Sequence, residues 1–304
     1  MNSNGTIFAQ DTKFWNNYLK GRPQAPDALF DRIFDYHQAH GGTFGTSHDV
    51  GAGNGPYAQK LRSRFAHVIV SDIVATNVEL AQERLGTDGF SYRTAKVEEA
   101  DDIAAASVDM IFATNVMHFP DQKAAMGAIA RQLKPGGTFV CGTFGPACFE
   151  DTRLQDLWQR ISHQGGRELL KNTDQPEQTI RIMARTKDGN VAPLDPEFFL
   201  PGAERVHLNM KKGGIIGLLP PEEAYRNTEP RHTGSCDVEI FEDEAGWSFE
   251  TDLNGVKEHM CSFPFISGNL GAFTKLFQEL ETLLGDGRRV RGCWPAKVIL
   301  AMRR

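Results

Sequence analysis

Between residues 46 and 145 the chain alternates short apolar runs with amphipathic stretches. Residues 66–72 (AHVIVSD) are a compact β-branched run, the composition of a strand buried on both faces. Val108–Thr114 (VDMIFAT) and 138–143 (TFVCGT) repeat that type, and 47–51 and 90–95 read as two further strands. Residues 57–64, Ala75–Leu85 and 122–133 read as helices. In the second, Val78, Ala81 and Leu85 recur at spacings of three and four, one helical face. Pro135 with Gly136 and Gly137 ends the third. Strands alternating with helices predict βαβ units and an α/β fold with a doubly wound, mostly parallel sheet. Right-handed crossovers place the strand carboxyl ends on one edge, and ligands bind where the strand order reverses.

The flanks are less regular. Residues 1–45 are polar and aromatic with helical stretches. In 146–304, a helix is expected near 154–164, a hairpin over 237–249, a helix over 269–284 and a last strand at Ala296–Met302. The loop-rich stretch 150–260 would fold over the strand ends and supply a second ligand; its Trp158, His163, Phe199, Arg205 and His232 are not ranked by sequence. Residues 213–219 are apolar and glycine-rich, suited to a greasy pocket or a partner surface.

Composition narrows the classes. With 304 residues and 40% hydrophobic content, the chain can bury one large core, or a core plus a smaller lobe. A net charge of −6 without basic blocks leaves no electrostatic footprint for nucleic acid. No apolar run is long enough for a membrane span, and the first residues lack the pattern of a secretory signal. Five cysteines at wide spacings fit no metal site and read as reduced thiols of a cytoplasmic protein. Nothing in the pattern sets an oligomeric state.

The chemistry concentrates at residues 48–72. Asp49-Val50-Gly51-Ala52-Gly53-Asn54-Gly55 joins the first strand to the first helix of the alternating region. Gly51 suits a tight turn, Gly53 lets a ligand approach the backbone, and Ala52 lies between them. Asp72 ends the next strand, at the distance where an acid meets ribose hydroxyls. The spacing is GxGxG rather than the GxGxxG of a dinucleotide site. Asp49 would repel a pyrophosphate but can orient an amino group, directly or through water. The implied ligand is a nucleoside with a cationic tail.

These residues resemble the class I S-adenosylmethionine-dependent methyltransferases. DVGAGNG is similar to their first motif and SDIV to their second-strand acid; 95–99 (AKVEE), 108–115 (VDMIFATN) and 133–138 (LKPGGT) are similar to the later motifs in order. Phe14-Trp15, Tyr18 and Gly21-Arg22-Pro23, with Val116-Met117-His118-Phe119, resemble the trans-aconitate-methyltransferase-like small-molecule group, which has fungal members. The resemblance implies a seven-stranded Rossmann-like sheet, an N-terminal helical lid over 1–45, a cofactor-binding core over 46–145, and a substrate-lobe insertion with completion of the sheet over 146–304. It implies S-adenosyl-L-methionine as cofactor and a small-molecule methyl acceptor. Trp15 and Tyr18 would cover the cofactor and Arg22 would pair with its carboxylate; the same stripe also reads as core packing, and the arginine as a surface residue. Ile73 and Val97 would sandwich the adenine, or simply pack, with Glu98 near its amine. Asn115 would meet the amino-acid end. His118 is the candidate catalytic residue, as a general base, a neutral donor or a structural histidine. The leading function is S-adenosylmethionine-dependent O-, S- or N-methylation of a metabolite. A catalytically silent cofactor-binding regulator and a nicotinamide-dependent oxidoreductase stand as alternatives.

Overall fold

The computed structural model describes residues 12–187, 189–210, 214–285 and 287–304, without the side chains of Thr12, Lys13 and Asn16. In chain order the elements are α1 (Thr12–Gly21), α2 (Asp27–Ala39), β1 (Thr46–Val50), α3 (Ala58–Arg62), β2 (His67–Asp72), α4 (Ala75–Leu85), β3 (Phe90–Thr94) and β4 (Val108–Thr114). Then follow α5 (Gln122–Gln132), β5 (Leu133–Phe144), β6 (Cys148–Phe149), α6 (Thr152–Lys171), α7 (Pro176–Thr186), β7 (Glu204–Leu208), β8 (Val238–Glu242) and β9 (Ser248–Thr251). The chain closes with α8 (Leu253–Cys261), α9 (Pro264–Ser267), α10 (Thr274–Leu284), β10 (Val290–Cys293) and β11 (Ala296–Met302).

The main sheet has the order β3-β2-β1-β4-β5-β11-β7-β8, in which β11 alone runs against its neighbours. This is the doubly wound, Rossmann-like arrangement the sequence predicts, with one strand beyond the seven expected. Central strands feed two cores at once. In β4, Met110 and Phe112 join the core under α2 and α3, while Ile111 and Ala113 join the core under α5. That two-sided burial makes VDMIFAT almost continuously apolar. β1 and β4 are parallel neighbours and mark the reversal of strand order, so their carboxyl ends open the crevice.

Three expectations change. Residues 1–45 are not a lid throughout: Leu29, Phe30, Ile33 and Phe34 of α2 recur at helical spacing and pack into the main core. The hairpin over 237–249 does not form, because β8 pairs parallel with β7 while β9 pairs with β10 in a separate three-stranded sheet. Trp247, 1% exposed, packs on Phe144 in the main core and turns the chain between the two sheets. β5 begins at Leu133, and a register shift opposite Val108 and Met110 absorbs the proline and glycines.

A third core lies beyond the strand ends. It gathers Trp158 and Ile161 of α6, Met260 of α8, Phe273, Leu280 of α10 and Val290 of β10. Asp151 caps α6, accepting from the amides of Arg153 and Leu154. α1 is pinned to this lobe by His259, whose Nδ1 donates to Gly21 O (2.8 Å) while Nε2 accepts from Ala147 N (3.2 Å). Among the described residues no helix is long and apolar enough to cross a membrane.

Candidate active site

A cavity of about 480 Å³ lies between the carboxyl ends of the parallel strands, α1 and the lobe. Trp15, Tyr18, Arg22, Gly51, Ala52, Gly53, Asp72, Ile73, Val97, Glu98, Asn115 and His118 all line it. Asp49 does not; the turn that follows it does.

The turn after β1 runs through Gly51 and Gly53 at φ +64° and +57°, angles that side chains rarely adopt. A Cβ on Gly51 would collide with Val116, and one on Gly53 would stand 2.7 Å from the Trp15 ring. Arg84 of α4 donates to Asn54 O (3.0 Å) and to Gly55 O, fixing the carbonyl side of the turn. Ala52 N donates to Ser71 O at 2.9 Å, which ties the turn to β2.

Two acids flank this turn in different states. Asp72 accepts from Gly53 N (2.9 Å), Val74 N (2.9 Å) and Asn77 Nδ2 (3.2 Å). Burial raises its pKa, and these three donors act in the opposite direction. Asp49 is 1% exposed, and among the described residues neither carboxylate oxygen has a hydrogen-bond partner. Burial, then the charge of Asp72, pushes its carboxyl up to about 8. A buried acid left this way is at odds with the rule that buried polar groups are paired, and it marks a place for a cationic group.

Asn115 directly follows β4 at φ +54°, a conformation asparagine tolerates better than most residues. Its Oδ1 accepts from Phe144 N at 2.9 Å, fixing the strand end. Ile73 is 39% exposed, an unusual state for a large apolar residue beside a buried strand end, and it shares the cavity wall with Val97. Glu98 accepts from Asp121 N at 3.0 Å, so one of its oxygens is already engaged at the start of α5.

α1 roofs the turn. Trp15 is 5% exposed, and its Nε1 donates to Asn77 Oδ1 at 3.0 Å, which links the roof to Asp72 through one amide. Tyr18 meets Trp15 edge-on with centroids 5.2 Å apart. Arg22 lies 3.7 Å over the Phe263 ring and 4.9 Å over Tyr18. Its Nε is buried with no hydrogen-bond partner among the described residues, and Nη2 donates to Ser262 O at 3.5 Å. Burial lowers its pKa.

His118 follows β4, its ring 4.0 Å from that of Phe119 between centroids. Burial, followed by the charges of Arg185 and Arg22, lowers its pKa to about 3. It is therefore neutral across the working range and a weak base.

The far end of the cavity was not resolved by sequence. Trp158 lines it, but Phe199 is a core residue and Arg205 is held by Asp237 at 2.5 Å. That wall also includes Ile182 of α7, Ile215, Ile216 and Leu218, Phe263 and Phe265, and the polar Ser162, Gln175, Gln178, Thr179 and Thr186. Gly213, at the start of the glycine-rich 213–219 stretch, lies outside the described residues. The signal that could have found Phe263-Pro264-Phe265 is two aromatics around a proline directly after a helix, a weak one.

Comparison with known proteins decides the family. A methyltransferase-domain family model matches residues 48–141. The chain is 61% identical to methyltransferase AacuQ of Aspergillus aculeatus over 99% of its own length and 97% of the relative's. It is 58% identical to methyltransferase tpcM of Aspergillus fumigatus, over 99% of this chain and 95% of that one. The chain belongs to this methyltransferase family. A solved structure described as a type II methyltransferase from Anaeromyxobacter dehalogenans superposes with a TM-score of 0.55 at 15% identity, covering 92% of this chain and 97% of that one, and agrees in fold. The enzyme is an S-adenosylmethionine-dependent methyltransferase, and likeness to fungal methyltransferases along its whole length fits small-molecule methylation in secondary metabolism. Neither the oxidoreductase nor the catalytically silent regulator gains support from these relatives.

The residues of the methyltransferase fit this cofactor. Asp49 is a buried carboxyl group with no hydrogen-bond partner among the described residues, two positions before the glycine turn that lines the cavity. Arg22 is a cation with a buried unpaired Nε. A cationic amine and a carboxylate, the two charged groups of a methionine moiety, answer these two residues.

Proposed function

We propose that the methyltransferase methylates an apolar, ring-bearing small molecule, held by the lobe with its nucleophile beside His118. The observation that carries this reading is the continuity of one cavity. One wall is the glycine turn with Asp72 and Asn115; the other is mainly aromatic and aliphatic, with Trp158, Ile182 and Phe265, and carries the polar Gln178 and Thr179. Volume and lining suit a ligand pair rather than a macromolecule.

In this reading Asp72 binds the ribose hydroxyls, Ile73 and Val97 enclose the adenine, and Glu98 offers its second oxygen to the adenine amine. Asn115, Arg22 and Asp49 serve the amino-acid end, Asp49 through the turn or a water. When bound, S-adenosylmethionine supplies an electrophilic methyl group on a sulfonium, and the thioether left behind is neutral. No general acid is then required of the protein. His118, being neutral, orients the acceptor by accepting or donating one hydrogen bond, and holds little power to remove a proton. Trp15 and Tyr18 exclude water above the turn. The labour divides between a cofactor-binding core over 46–145 and the lobe within 146–304, with α1 as the roof. The buried Cys141 thiol, in no disulfide, supports a reducing, cytoplasmic setting, and the net charge of −6 supports a partner other than nucleic acid.

Transfer of a labelled methyl group from S-adenosylmethionine into a fractionated fungal metabolite extract tests the reading. The expected product partitions into organic solvent, and His118→Ala lowers its rate more than it changes S-adenosylhomocysteine affinity. Label found only in polar products, or an unchanged rate in the variant with every acceptor, would remove the proposal.

A further inference from the structure

The segment after β4 is held from the lobe by a largely buried ion pair. Arg185, near the end of α7, grips Glu229 with two prongs, Nε to Oε2 at 2.8 Å and Nη2 to Oε1 at 2.9 Å. Their side chains are 11% and 6% exposed. The remaining nitrogen, Nη1, donates to the carbonyls of His118 (3.4 Å) and Pro120 (3.1 Å). Gln122 also donates to this segment, at Met117 O (2.6 Å) and Pro120 O (3.1 Å), but from the adjoining helix. The Oε1 of Gln122 in turn accepts from Ala192 N (2.9 Å), whereas Arg185 ties the segment directly to α7. The same helix places Gln178, Thr179, Ile182 and Thr186 on the cavity.

A buried ion pair is poor evidence for stability, because desolvation offsets most of its attraction. What a guanidinium fork supplies is direction: planar donors bind a carboxylate on one edge and fix where the other edge points. Here the other edge points at the backbone that carries His118. We propose that Arg185, locked in orientation by Glu229, is a positioning residue that sets the His118 segment against the acceptor-facing helix α7. The inference rests on reading His118 and α7 as the acceptor end. The charge of Arg185 also helps to keep His118 neutral, after burial.

The test compares Arg185→Lys, Arg185→Met and the double variant Arg185→Met/Glu229→Gln in the full chain with labelled histidine. The double variant removes the acid that the single one strands, so it guards against simple misfolding. Three readouts are taken: S-adenosylhomocysteine affinity by calorimetry, His118 ring resonances by NMR, and labelled-methyl transfer into the metabolite extract. The expected result is a turnover lower by roughly 10- to 100-fold, the cost of a misplaced reacting group. Affinity for S-adenosylhomocysteine stays at the wild-type value, the His118 resonances shift or broaden, and Arg185→Lys recovers only part of the loss. The double variant regains Tm without regaining turnover. Wild-type turnover and unmoved His118 resonances in a folded double variant would overturn the proposal. If the wild-type enzyme methylates nothing in the extract, the acceptor reading fails instead, and the His118 resonances still decide the role of Arg185.

Discussion

The half of the cavity built from strand ends depends on backbone angles, whereas the half built from the lobe depends on side-chain bulk. Gly51, Gly53 and Asn115 stand at φ +64°, +57° and +54°, and Asp72 is fixed by two backbone amides and Asn77. At the other end Trp158, Ile182 and Phe265 present apolar surface, with Gln178 and Thr179 among them. A site made of turn geometry admits one ligand shape, since altering it means altering the backbone. A site made of packed apolar side chains changes with each substitution, and volume-conserving swaps cost little stability. The same cofactor and a variable acceptor is the outcome such a division favours.

The comparison is broken most directly in the lobe core. Trp158 is 1% exposed, touches the cavity, and donates from Nε1 to Ala147 O at 3.1 Å. Trp158→Ala is expected to destabilise the lobe by about 3–5 kcal/mol, as for other buried aromatics cut to alanine. Amide exchange read by mass spectrometry locates the loss. Protection should fall across α6, α8 and α10 and stay unchanged in β1 and β4. An equal fall in β4 would mean that the two halves open as one unit, and the contrast drawn above would not describe the enzyme.

At the strand-end half, Asp72→Ala removes the group that three donors converge on. We expect S-adenosylhomocysteine to bind about 1.5–3 kcal/mol more weakly, the range for hydrogen bonds to a charged group. Calorimetry gives the number, and unchanged affinity would take the ribose role away from Asp72. Ile182→Ala is the control from the other half: it should alter which acceptors are used and leave this affinity in place.

Legibility in the sequence follows the same line. The turn, its two acids and the strand that ends at Asp72 lie within residues 48–72, so local pattern reveals them. α2 carried a readable core stripe at Leu29, Phe30, Ile33 and Phe34, obscured by grouping it with the aromatic α1. The eighth strand and the failed hairpin turn on Trp247, whose destination in the main core is a tertiary choice. The lobe-side wall of the cavity joins Trp158, Ile182, Ile215 and Phe263 from separate elements. Each of these looks in sequence like any core residue. Arg185 and Glu229 are ordinary charges until folding buries them together.

The smallest expected effect on binding tests the least conventional feature, Asp49, which has no hydrogen-bond partner among the described residues. Its folded pKa of about 8 stands above the ordinary carboxyl value, with burial as the first cause, Asp72 as the second, and Arg84 opposing. A raised carboxyl pKa means that the fold favours the protonated form. Its contribution to stability is therefore fully present below about pH 4 and lost as pH rises toward 8. Asp49→Asn, which cannot ionise, should accordingly raise Tm relative to wild type at pH 8 and leave it nearly unchanged at pH 4. Binding runs the other way, because a ligand ammonium favours the ionised acid. Between pH 6 and pH 7, S-adenosylhomocysteine affinity should improve by at most roughly tenfold, about 1.4 kcal/mol, and Asp49→Asn should flatten that slope. A variant that is more stable yet binds less tightly identifies an acid kept for the ligand. If Asp49→Asn lowers Tm at pH 8 and preserves the slope, the carboxylate is paired within the protein and the titration belongs to another group.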